Sequence, residues 1–291
     1  MALIWEKKIK GVTYQVRTAG SSVRLYTNKV FHSQWNPNAV LCGGVWDLLL
    51  LPAFMLAKPT QIKNVLVLGV GGGAVIRALS HCLGPNKITG VDLDATHLSI
   101  AKRFFGVKTT AIDQSRIKPA HNKAPKVKSL HASTVSAQHN NAGPIECRLV
   151  HAEAKAWLKN NQTKYDLIIE DIFKEDDEGQ PVRAVEASAE WLALLRKSLT
   201  KKGTLVMNFE SQTSWQKAKQ TAKKQGLFNS DHSAKYINCA KLALPQYENK
   251  MGVFSLCPLD KRLLPTHAKM YANVTQAKWN KMGYSITPYK I

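Results

Sequence analysis

The sequence is poor in acidic residues and in cysteine. Its 291 residues include 20 Asp and Glu against 41 Lys and Arg, which gives a formal net charge of +21. The five cysteines are scattered without a C-x-x-C pair, which argues against a disulfide framework and against a metal site built on thiolates. No apolar run reaches the ~20 residues that a membrane span needs. The amino terminus, MALIWEKKIKG, lacks the pattern of a signal peptide. These absences predict a globular, cytoplasmic protein without a membrane partner.

The positive charge has two interpretations. One is attraction to nucleic acid. The other is a solvated basic surface, which we favour because the charge is spread along the chain and not focused beside aromatic residues. Nucleic acid is therefore a possible partner that the sequence does not favour.

The stretch NVLVLGVGGGAVIRALSHCLGPNKITGVDLD, residues 64–94, has the clearest pattern in the chain. Val65 to Leu68 form a short apolar run typical of a strand buried on both faces. A glycine cluster follows, then a helical pattern from Ala74, then a second apolar run that ends in Asp92. This order predicts a strand, a glycine loop, a helix and a strand that ends in an acid.

Such a unit binds a nucleotide-type cofactor. Glycines let backbone N–H groups approach a ligand closely, and the helix amino terminus favours polar or negative ligand groups. An acid about 20 residues beyond the glycines can accept hydrogen bonds from both ribose hydroxyls. The cofactor-binding candidates are therefore Gly69, Gly71, Gly72, Gly73 and Asp92. A nicotinamide or flavin site stays open, because the dinucleotide fingerprint also allows an alanine where this chain has Ala74.

The remaining pattern predicts an α/β fold with a doubly wound, Rossmann-like sheet. Residues 1–58 are predicted to form a small antiparallel β segment and a helix that Pro52 kinks or ends. Alternating strand and helix patterns over residues 59–258 predict a mostly parallel sheet. Residues 259–291 read as a helical tail. A flexible basic insertion is expected at residues 108–143, where hydrophobic periodicity is lost.

Polar residues follow several of the predicted strands. Besides the glycine loop and Asp92, these are His151 to Glu153, and Glu170 with Asp171. In an open α/β sheet the ligand lies over the carboxyl ends of the strands. The strand ends together therefore predict one binding site.

At this point the chain resembles the spermidine synthase-like proteins, relatives of the S-adenosylmethionine-dependent methyltransferases. The matching segments are LVLGVGGGAVIRAL, ITGVDLDATHLSIAKRFFGV, HAEAKAWL, YDLIIEDIF and WLALLRKSLTKKGTLVMNF. Their order and spacing carry the likeness, which extends over most of the chain.

The resemblance implies roles for individual residues. The glycines would line the methionine and ribose part of S-adenosylmethionine or its decarboxylated form, and Asp92 would hold the ribose. Glu153, with Ala154 beside it, falls near the expected adenine position. Asp171 falls on the catalytic aspartate that binds the attacking amine and helps to remove its proton. Residues assigned to the substrate are Gln34, Glu170 and Glu175.

Two positions depart from the family pattern. Polyamine synthases carry an aspartate inside the glycine loop, where this chain has Gly72, and a second one three residues after the catalytic aspartate, where it has Lys174. Both changes weaken the case for aminopropyl transfer, since a lysine beside the incoming amine repels it. The acidic run Glu175 to Glu178 has the opposite effect, because it could gather a cationic amine.

The sequence therefore predicts a transferase in which an acceptor attacks a sulfonium carbon. Methyl transfer from S-adenosylmethionine is the first expectation. Aminopropyl transfer to an amine in polyamine biosynthesis is the alternative, and a non-catalytic nucleotide- or RNA-binding protein with a vestigial pocket is the second alternative. The acceptor is expected to be a small molecule or an amine, and a homodimer is one possible assembly.

Overall fold

A computed structural model describes residues 1–113, 145–229 and 236–291. Most of the insertion predicted at residues 108–143 lies outside these described residues. Within them the chain forms an amino-terminal sheet, a large central sheet flanked by helices, and a small hairpin.

The amino-terminal sheet contains four antiparallel strands in chain order. They are β1 (Ala2–Ile9), β2 (Val12–Ala19), β3 (Ser22–Thr27) and β4 (Val30–Trp35). The turn between β3 and β4 places Asn28 and Lys29 at positive φ, 48° and 72°, as a tight two-residue hairpin turn requires. The predicted antiparallel β segment is confirmed.

Helix α1 (Asp47–Phe54) is buried along its whole length and contains Pro52 in its last turn. A short 3-10 turn, Pro59–Gln61, then leads into the central sheet. Apart from Asp47 at its start the helix is apolar all round, because it packs against the central sheet and against two later helices, residues 74–82 and 264–272.

Within the described residues the central sheet contains nine strands, in the order β15-β13-β14-β12-β9-β5-β6-β8-β7. Strands β5, β6, β7, β8, β9 and β12 are mutually parallel, whereas β13, β14 and β15 join them through antiparallel pairs. The strand bounds, with the separate hairpin β10–β11, are β5 (Asn64–Leu68), β6 (Lys87–Asp92), β7 (Ala111–Asp113), β8 (Glu146–His151), β9 (Tyr165–Glu170), β10 (Phe173–Glu175), β11 (Pro181–Arg183), β12 (Leu199–Phe209), β13 (Cys239–Ala243), β14 (Lys250–Ser255) and β15 (Ser285–Tyr289).

Helices cover both faces of this sheet, so the predicted doubly wound α/β fold is confirmed. They are α2 (Ala74–Cys82), α3 (Ala95–Arg103), α4 (Ala154–Asn160), α5 (Ala189–Ser198), α6 (Gln212–Lys224), α7 (Leu264–Ala272) and α8 (Gln276–Lys281). One core cluster packs α1, α2 and α7 on one face, and a second packs α4, α5 and α6 on the other. In the described part of the chain, no helix is both long and apolar enough to cross a bilayer.

The structure differs from the expected pattern in three places. β7 forms inside the predicted insertion and pairs with β8 at the sheet edge. The predicted tail helix is divided into α7 and α8 at Asn273, whose φ is +53°. The chain then adds β15 to the sheet edge. Among the described strands, β7 and β15 each pair with one neighbour, at an edge of the sheet.

Candidate active site

A cleft of about 940 Å³ lies between the amino-terminal sheet and the carboxyl ends of the central strands. Most of the site residues predicted from the sequence line it: Gly69, Gly71, Asp92, Glu153, Ala154, Asp171 and Glu175. Gln34, Gly72, Gly73 and Glu170 are not among the lining residues. The parallel strands β5, β6, β8 and β9 therefore bring their ends to one site, as the topology requires.

Gly69 joins the end of β5 to the end of β9. Its φ is +85°, and a Cβ there would lie 2.1 Å from the carbonyl oxygen of Asp171. The Asp171 backbone N–H also donates to the carbonyl oxygen of Leu68 at 2.8 Å. Only a glycine permits this approach, which places the loop directly against the candidate catalytic aspartate.

Asp92 holds the glycine loop. Its Oδ2 accepts hydrogen bonds from the backbone N–H groups of Val70 at 2.8 Å and Gly71 at 3.0 Å, and its Oδ1 accepts from that of Asp94 at 2.8 Å. A carboxylate offers about four acceptor positions, so about one remains for a ligand. If Asp92 accepted hydrogen bonds from both ribose hydroxyls, one of its hydrogen bonds from the loop would have to break. Binding of a ribose by Asp92 therefore stays a prediction, with one hydroxyl as the simplest contact.

Two residues on the far side of Asp92 were missed by the sequence analysis. Asp94 caps α3 through the backbone N–H groups of Thr96 and His97, and it accepts a 2.7 Å hydrogen bond from the hydroxyl of Tyr14. Burial, together with this bond to Asp94, raises the pKa of Tyr14 to about 12. In the sequence, Asp94 follows Asp92 by two residues at the end of a predicted strand. This spacing could have indicated that Asp94 also lies at the site.

His32 lies on β4, beside the glycine loop. A Cβ on Gly71 would lie 3.4 Å from the carbonyl oxygen of His32, so the strand passes directly over this loop. The Nε2 atom of His32 is buried and lacks a hydrogen-bond partner within the described residues. Burial, and to a smaller extent the neighbouring His97, lowers the pKa of His32 to about 4. The imidazole is therefore neutral at physiological pH.

Asp171 is held by a chain of amides. Its Oδ1 accepts a 2.8 Å hydrogen bond from the side-chain amide of Asn208, whose own oxygen accepts one from Asn249 at 3.0 Å. Burial raises the pKa of Asp171 to about 6, although the bond from Asn208 and the charge of Arg183 oppose the rise. A carboxylate with this pKa is charged at neutral pH and can still take up a proton, as a general base requires.

Glu170 is not a cleft residue, which corrects the prediction that it binds substrate. Its side chain is fully buried and pairs with the guanidinium of Arg183, through contacts of 2.9 Å to Oε1 and 2.8 Å to Oε2. Side chains alternate along a strand, so Glu170 points away from its neighbour Asp171. The same Arg183 donates to the carbonyl oxygen of Asn208 and thus anchors the hairpin β10–β11 behind the catalytic side of the cleft.

Gln34 also lies outside the cleft. Its side-chain oxygen accepts a 2.7 Å hydrogen bond from Arg24, and its amide lies 3.5 Å from the sulfur of Cys42. It therefore joins β4 to β3 and to the next loop. The β4 residues that do line the cleft include His32 and Ser33.

The hairpin β10–β11 forms the outer wall of the cleft. Glu175 accepts a 3.0 Å hydrogen bond from the side chain of Asn28, which lies in the β3–β4 turn on the opposite wall. Asp176 accepts from the backbone N–H groups of Glu178 and Gln180, so it shapes the hairpin turn. Among the four acids of this run, Glu175 is the one that lines the cleft.

Lys174 alternates with Glu175 along β10. Phe173 and Glu175 share one face of the hairpin, and Lys174 lies on the other face with its side chain exposed. Lys174 contributes to the rim of the cleft. The repulsion of an incoming amine that the sequence suggested is weakened by this geometry, because the exposed ammonium group is screened by solvent.

Gly72 and Gly73 face the protein interior. A Cβ on Gly72 would lie 2.6 Å from the ring of Phe105, and one on Gly73 would lie 2.6 Å from Val107. An aspartate at position 72 would therefore require Phe105 to move. These two glycines allow the loop to pack on the segment that follows α3. Contact between their backbone and a cofactor stays a prediction.

Glu153 caps α4 at the adenine end predicted for the cleft. Its two oxygens accept hydrogen bonds from the backbone N–H groups of Lys155 at 2.8 Å and Ala156 at 2.6 Å. The side chain remains exposed at the cleft, so further acceptor positions are open to a ligand.

Comparison with solved structures identifies the class of fold. A spermidine synthase in complex with the transition-state analogue AdoDATO covers 93% of this chain and 78% of its own chain, with a TM-score of 0.55 at 10% identity. A probable spermidine synthase from Corynebacterium glutamicum gives a TM-score of 0.61 at 14% identity, over 92% of this chain and 87% of its own. Human methyltransferase-like protein 13, in complex with SAH, gives 0.51 at 14% identity, over 83% and 93%. The molecule thus has the fold shared by spermidine synthases and methyltransferases.

Comparison of sequences identifies the family. The model of the spermine/spermidine synthase domain matches residues 50–264. The chain therefore belongs to the spermine/spermidine synthase family, as the resemblance in the sequence predicted.

Two curated relatives are polyamine aminopropyltransferases. The one from Clostridium beijerinckii is 34% identical over 62 residues, which are 21% of this chain and 22% of the relative. The one from Clostridium botulinum is 24% identical over 156 residues, which are 54% and 43%. The matched segments thus span less than half the length of either relative.

Proposed function

We propose that the protein is an aminopropyltransferase that moves the aminopropyl group of decarboxylated S-adenosylmethionine to an amine. The observation that carries this proposal is the charge of the cleft. Although the whole chain carries a net charge of +21, five carboxylates and two lysines from the described residues line the cleft. A negative cleft in a basic protein favours a cationic donor and a cationic acceptor. Family membership and the names of the two curated relatives support the same choice.

The chemistry needs alignment and one base. The amine lone pair forms a bond to the methylene carbon beside the sulfonium, and the carbon–sulfur bond breaks. Its electron pair stays on sulfur, which leaves methylthioadenosine. The proton leaves the new ammonium group for the carboxylate of Asp171, which is fixed by Asn208 and has a pKa raised to about 6 by burial.

Methyl transfer from intact S-adenosylmethionine is the second candidate. It is favoured by the lack of an acid at Gly72, where the ring of Phe105 occupies the space that a side chain would need. A loop without this acid would accept the carboxylate of the intact cofactor, since two carboxylates repel each other at close range.

The test is a transfer reaction with decarboxylated S-adenosylmethionine and putrescine. We expect equimolar methylthioadenosine and aminopropylated amine from the wild-type protein, and strongly reduced product from Asp171→Asn. An absence of both products with putrescine and with longer polyamines, in a folded protein that binds the donor, would refute the proposal.

A further inference from the structure

His97 occupies an unusual place at the cofactor end of the cleft. It lies in the first turn of α3, with its Nδ1 3.9 Å from Oδ1 of Asp92 and its Nε2 3.8 Å from Oδ2 of Asp94. The same Nε2 lies 2.9 Å from the hydroxyl oxygen of Thr27, on β3. One imidazole therefore contacts both acids that follow β6 and also the amino-terminal sheet.

The orientation of this imidazole is fixed by packing. The ring of Tyr14 meets it edge-on, with centroids 5.8 Å apart and an interplanar angle of 84°, and the ring of His32 lies 5.4 Å away. Only 12% of the side chain is exposed. A ring enclosed in this way holds its two nitrogens in fixed directions, which is what precise placement of a neighbouring ligand-binding group requires.

The orientation of the Asp92 carboxylate is set by the groups around its two oxygens. Its Oδ2 is fixed by the two loop amides, whereas its Oδ1 has one amide, that of Asp94, and faces His97. The contact of 3.9 Å is too long for a hydrogen bond. His97 therefore acts on Asp92 through its packed position, which the 2.9 Å contact with Thr27 fixes.

We propose that His97 is a positioning residue that sets the direction of the Asp92 carboxylate and couples it to Thr27. The proposal rests on the proposed function, in which Asp92 binds the ribose of an adenosyl donor. The amino-terminal sheet then contributes to donor affinity through His97, in addition to the Tyr14–Asp94 bond. This assigns to β3 a role in donor binding, carried by the contact between Thr27 and His97.

The test measures the affinity for methylthioadenosine by calorimetry. We expect His97→Phe, which keeps a ring of similar size without its nitrogens, to weaken binding roughly three- to tenfold, the effect of about one hydrogen bond. His97→Gln, which retains a polar group that can reach Thr27, should recover part of the loss. At saturating donor, kcat should stay within about twofold of wild type, because His97 touches no reacting atom.

Thr27 provides the coupling measurement. Thr27→Val should weaken methylthioadenosine binding by itself, and its effect should shrink in the His97→Phe background, because the two residues act through one contact. His81→Phe is the matched control, since it makes the same chemical change on α2, outside the cleft-lining residues. We expect it to leave the affinity unchanged.

Three outcomes would overturn the proposal. The first is a folded His97→Phe protein, judged by its melting temperature, that binds methylthioadenosine as tightly as wild type. The second is independent, multiplicative effects of Thr27→Val and His97→Phe on affinity. The third is a wild-type protein that binds no adenosyl compound at all, which would also remove the cofactor part of the proposed function. The first two leave that function standing. If His97→Phe does not fold, the His97→Gln and Thr27→Val affinities decide the question.

Discussion

Asp171 combines a fixed direction with a raised pKa. The amide of Asn208 fixes one oxygen, and burial brings the pKa of the carboxyl to about 6. Below that pH the carboxyl holds a proton and cannot accept another from the attacking amine. Above it the carboxylate is available as a base.

The first prediction concerns this base. Asp171→Asn should lower turnover by roughly 10²- to 10⁴-fold while it changes donor affinity far less. In the wild-type protein, kcat/KM should rise as the pH increases through about 6, since Asp171 then loses its proton. Asn208→Ala removes a hydrogen bond that holds this pKa down, so the rise should move to higher pH. A pH profile that is unchanged in Asp171→Asn would show that another group is the base.

The second prediction concerns Asp92. Asp92→Ala should weaken binding of an adenosyl donor by about 1.5–3 kcal/mol, the value of one hydrogen bond to a charged acceptor. The same change also frees the N–H groups of Val70 and Gly71. Calorimetry checks the affinity, and Asp177→Ala serves as the control because it removes an exposed acid that does not line the cleft. Equal affinities in Asp92→Ala and wild type would remove Asp92 from the site.

At the scale of elements, the hairpin β10–β11 depends on a buried ion pair. Arg183 reaches from β11 to Glu170 at the end of β9, and its guanidinium also lies 5.0 Å from the centroid of the Phe209 ring. Burial raises the pKa of Glu170, and the charge of Arg183 opposes that rise. A buried carboxylate of this kind needs its partner, because removal of one ion leaves the other unpaired in a medium of low polarity.

The third prediction follows from this pair. Arg183→Met should lower the free energy of unfolding by about 3–5 kcal/mol, and a second change, Glu170→Leu, should restore much of it. Urea denaturation of both variants measures the difference. Arg262→Met, which removes an exposed partner of Asp260, is the control and should have little effect. A small loss in Arg183→Met alone would mean that the pair does not anchor the hairpin.

The fourth prediction concerns the insertion. The sequence expected the whole of residues 108–143 to be irregular, but Ala111–Asp113 form β7 and pair with β8. Deletion of residues 114–142, with about a dozen Gly and Ser residues inserted in their place because the parallel strands β7 and β8 need a crossover of that length, should therefore leave donor binding intact. That part of the sequence has no core periodicity. Deletion of residues 109–142 removes an edge strand as well and should cost stability. Calorimetry and thermal melts compare the two, and loss of donor binding in the shorter deletion would show that the insertion serves the site.

At the scale of the whole molecule, surface and cleft differ in the sign of their charge. The chain is strongly basic, whereas the cleft is lined by more acids than lysines. This contrast favours a cationic ligand inside the cleft independently of any ligand on the surface. The net positive charge of the whole chain is therefore not an indicator of the substrate's charge. Its even distribution along the sequence suggested the same.

The fold was predictable because its signals are local. Apolar runs such as Val65 to Leu68, the glycine loop and an acid at the right distance define the parallel strands and their active edge. The contacts across the cleft were not predictable. Nothing in the sequence pairs Asn28 with Glu175, Thr27 with His97 or Tyr14 with Asp94, because these pairs are formed by the docking of the amino-terminal sheet on the central one.

Alternation along a strand explains the errors at the site. The sequence assigned both Glu170 and Asp171 to the cleft, although neighbours on a strand point to opposite sides. The same alternation separates Lys174, which the sequence placed beside the incoming amine and which faces solvent, from Glu175, which faces the opposite wall of the cleft. Gly72 lies in a loop, so alternation does not apply to it, and a side chain there would point at Phe105.

The central claim is tested most directly by a competition between the two donors. Wild-type protein is given equimolar S-adenosylmethionine and decarboxylated S-adenosylmethionine with a mixture of putrescine and longer polyamines, and the nucleoside products are measured by mass spectrometry over time. Our account predicts accumulation of methylthioadenosine with a matching amount of aminopropylated amine, and loss of both in Asp171→Asn. Accumulation of S-adenosylhomocysteine with a methylated acceptor, and no methylthioadenosine above the Asp171→Asn level, would contradict it.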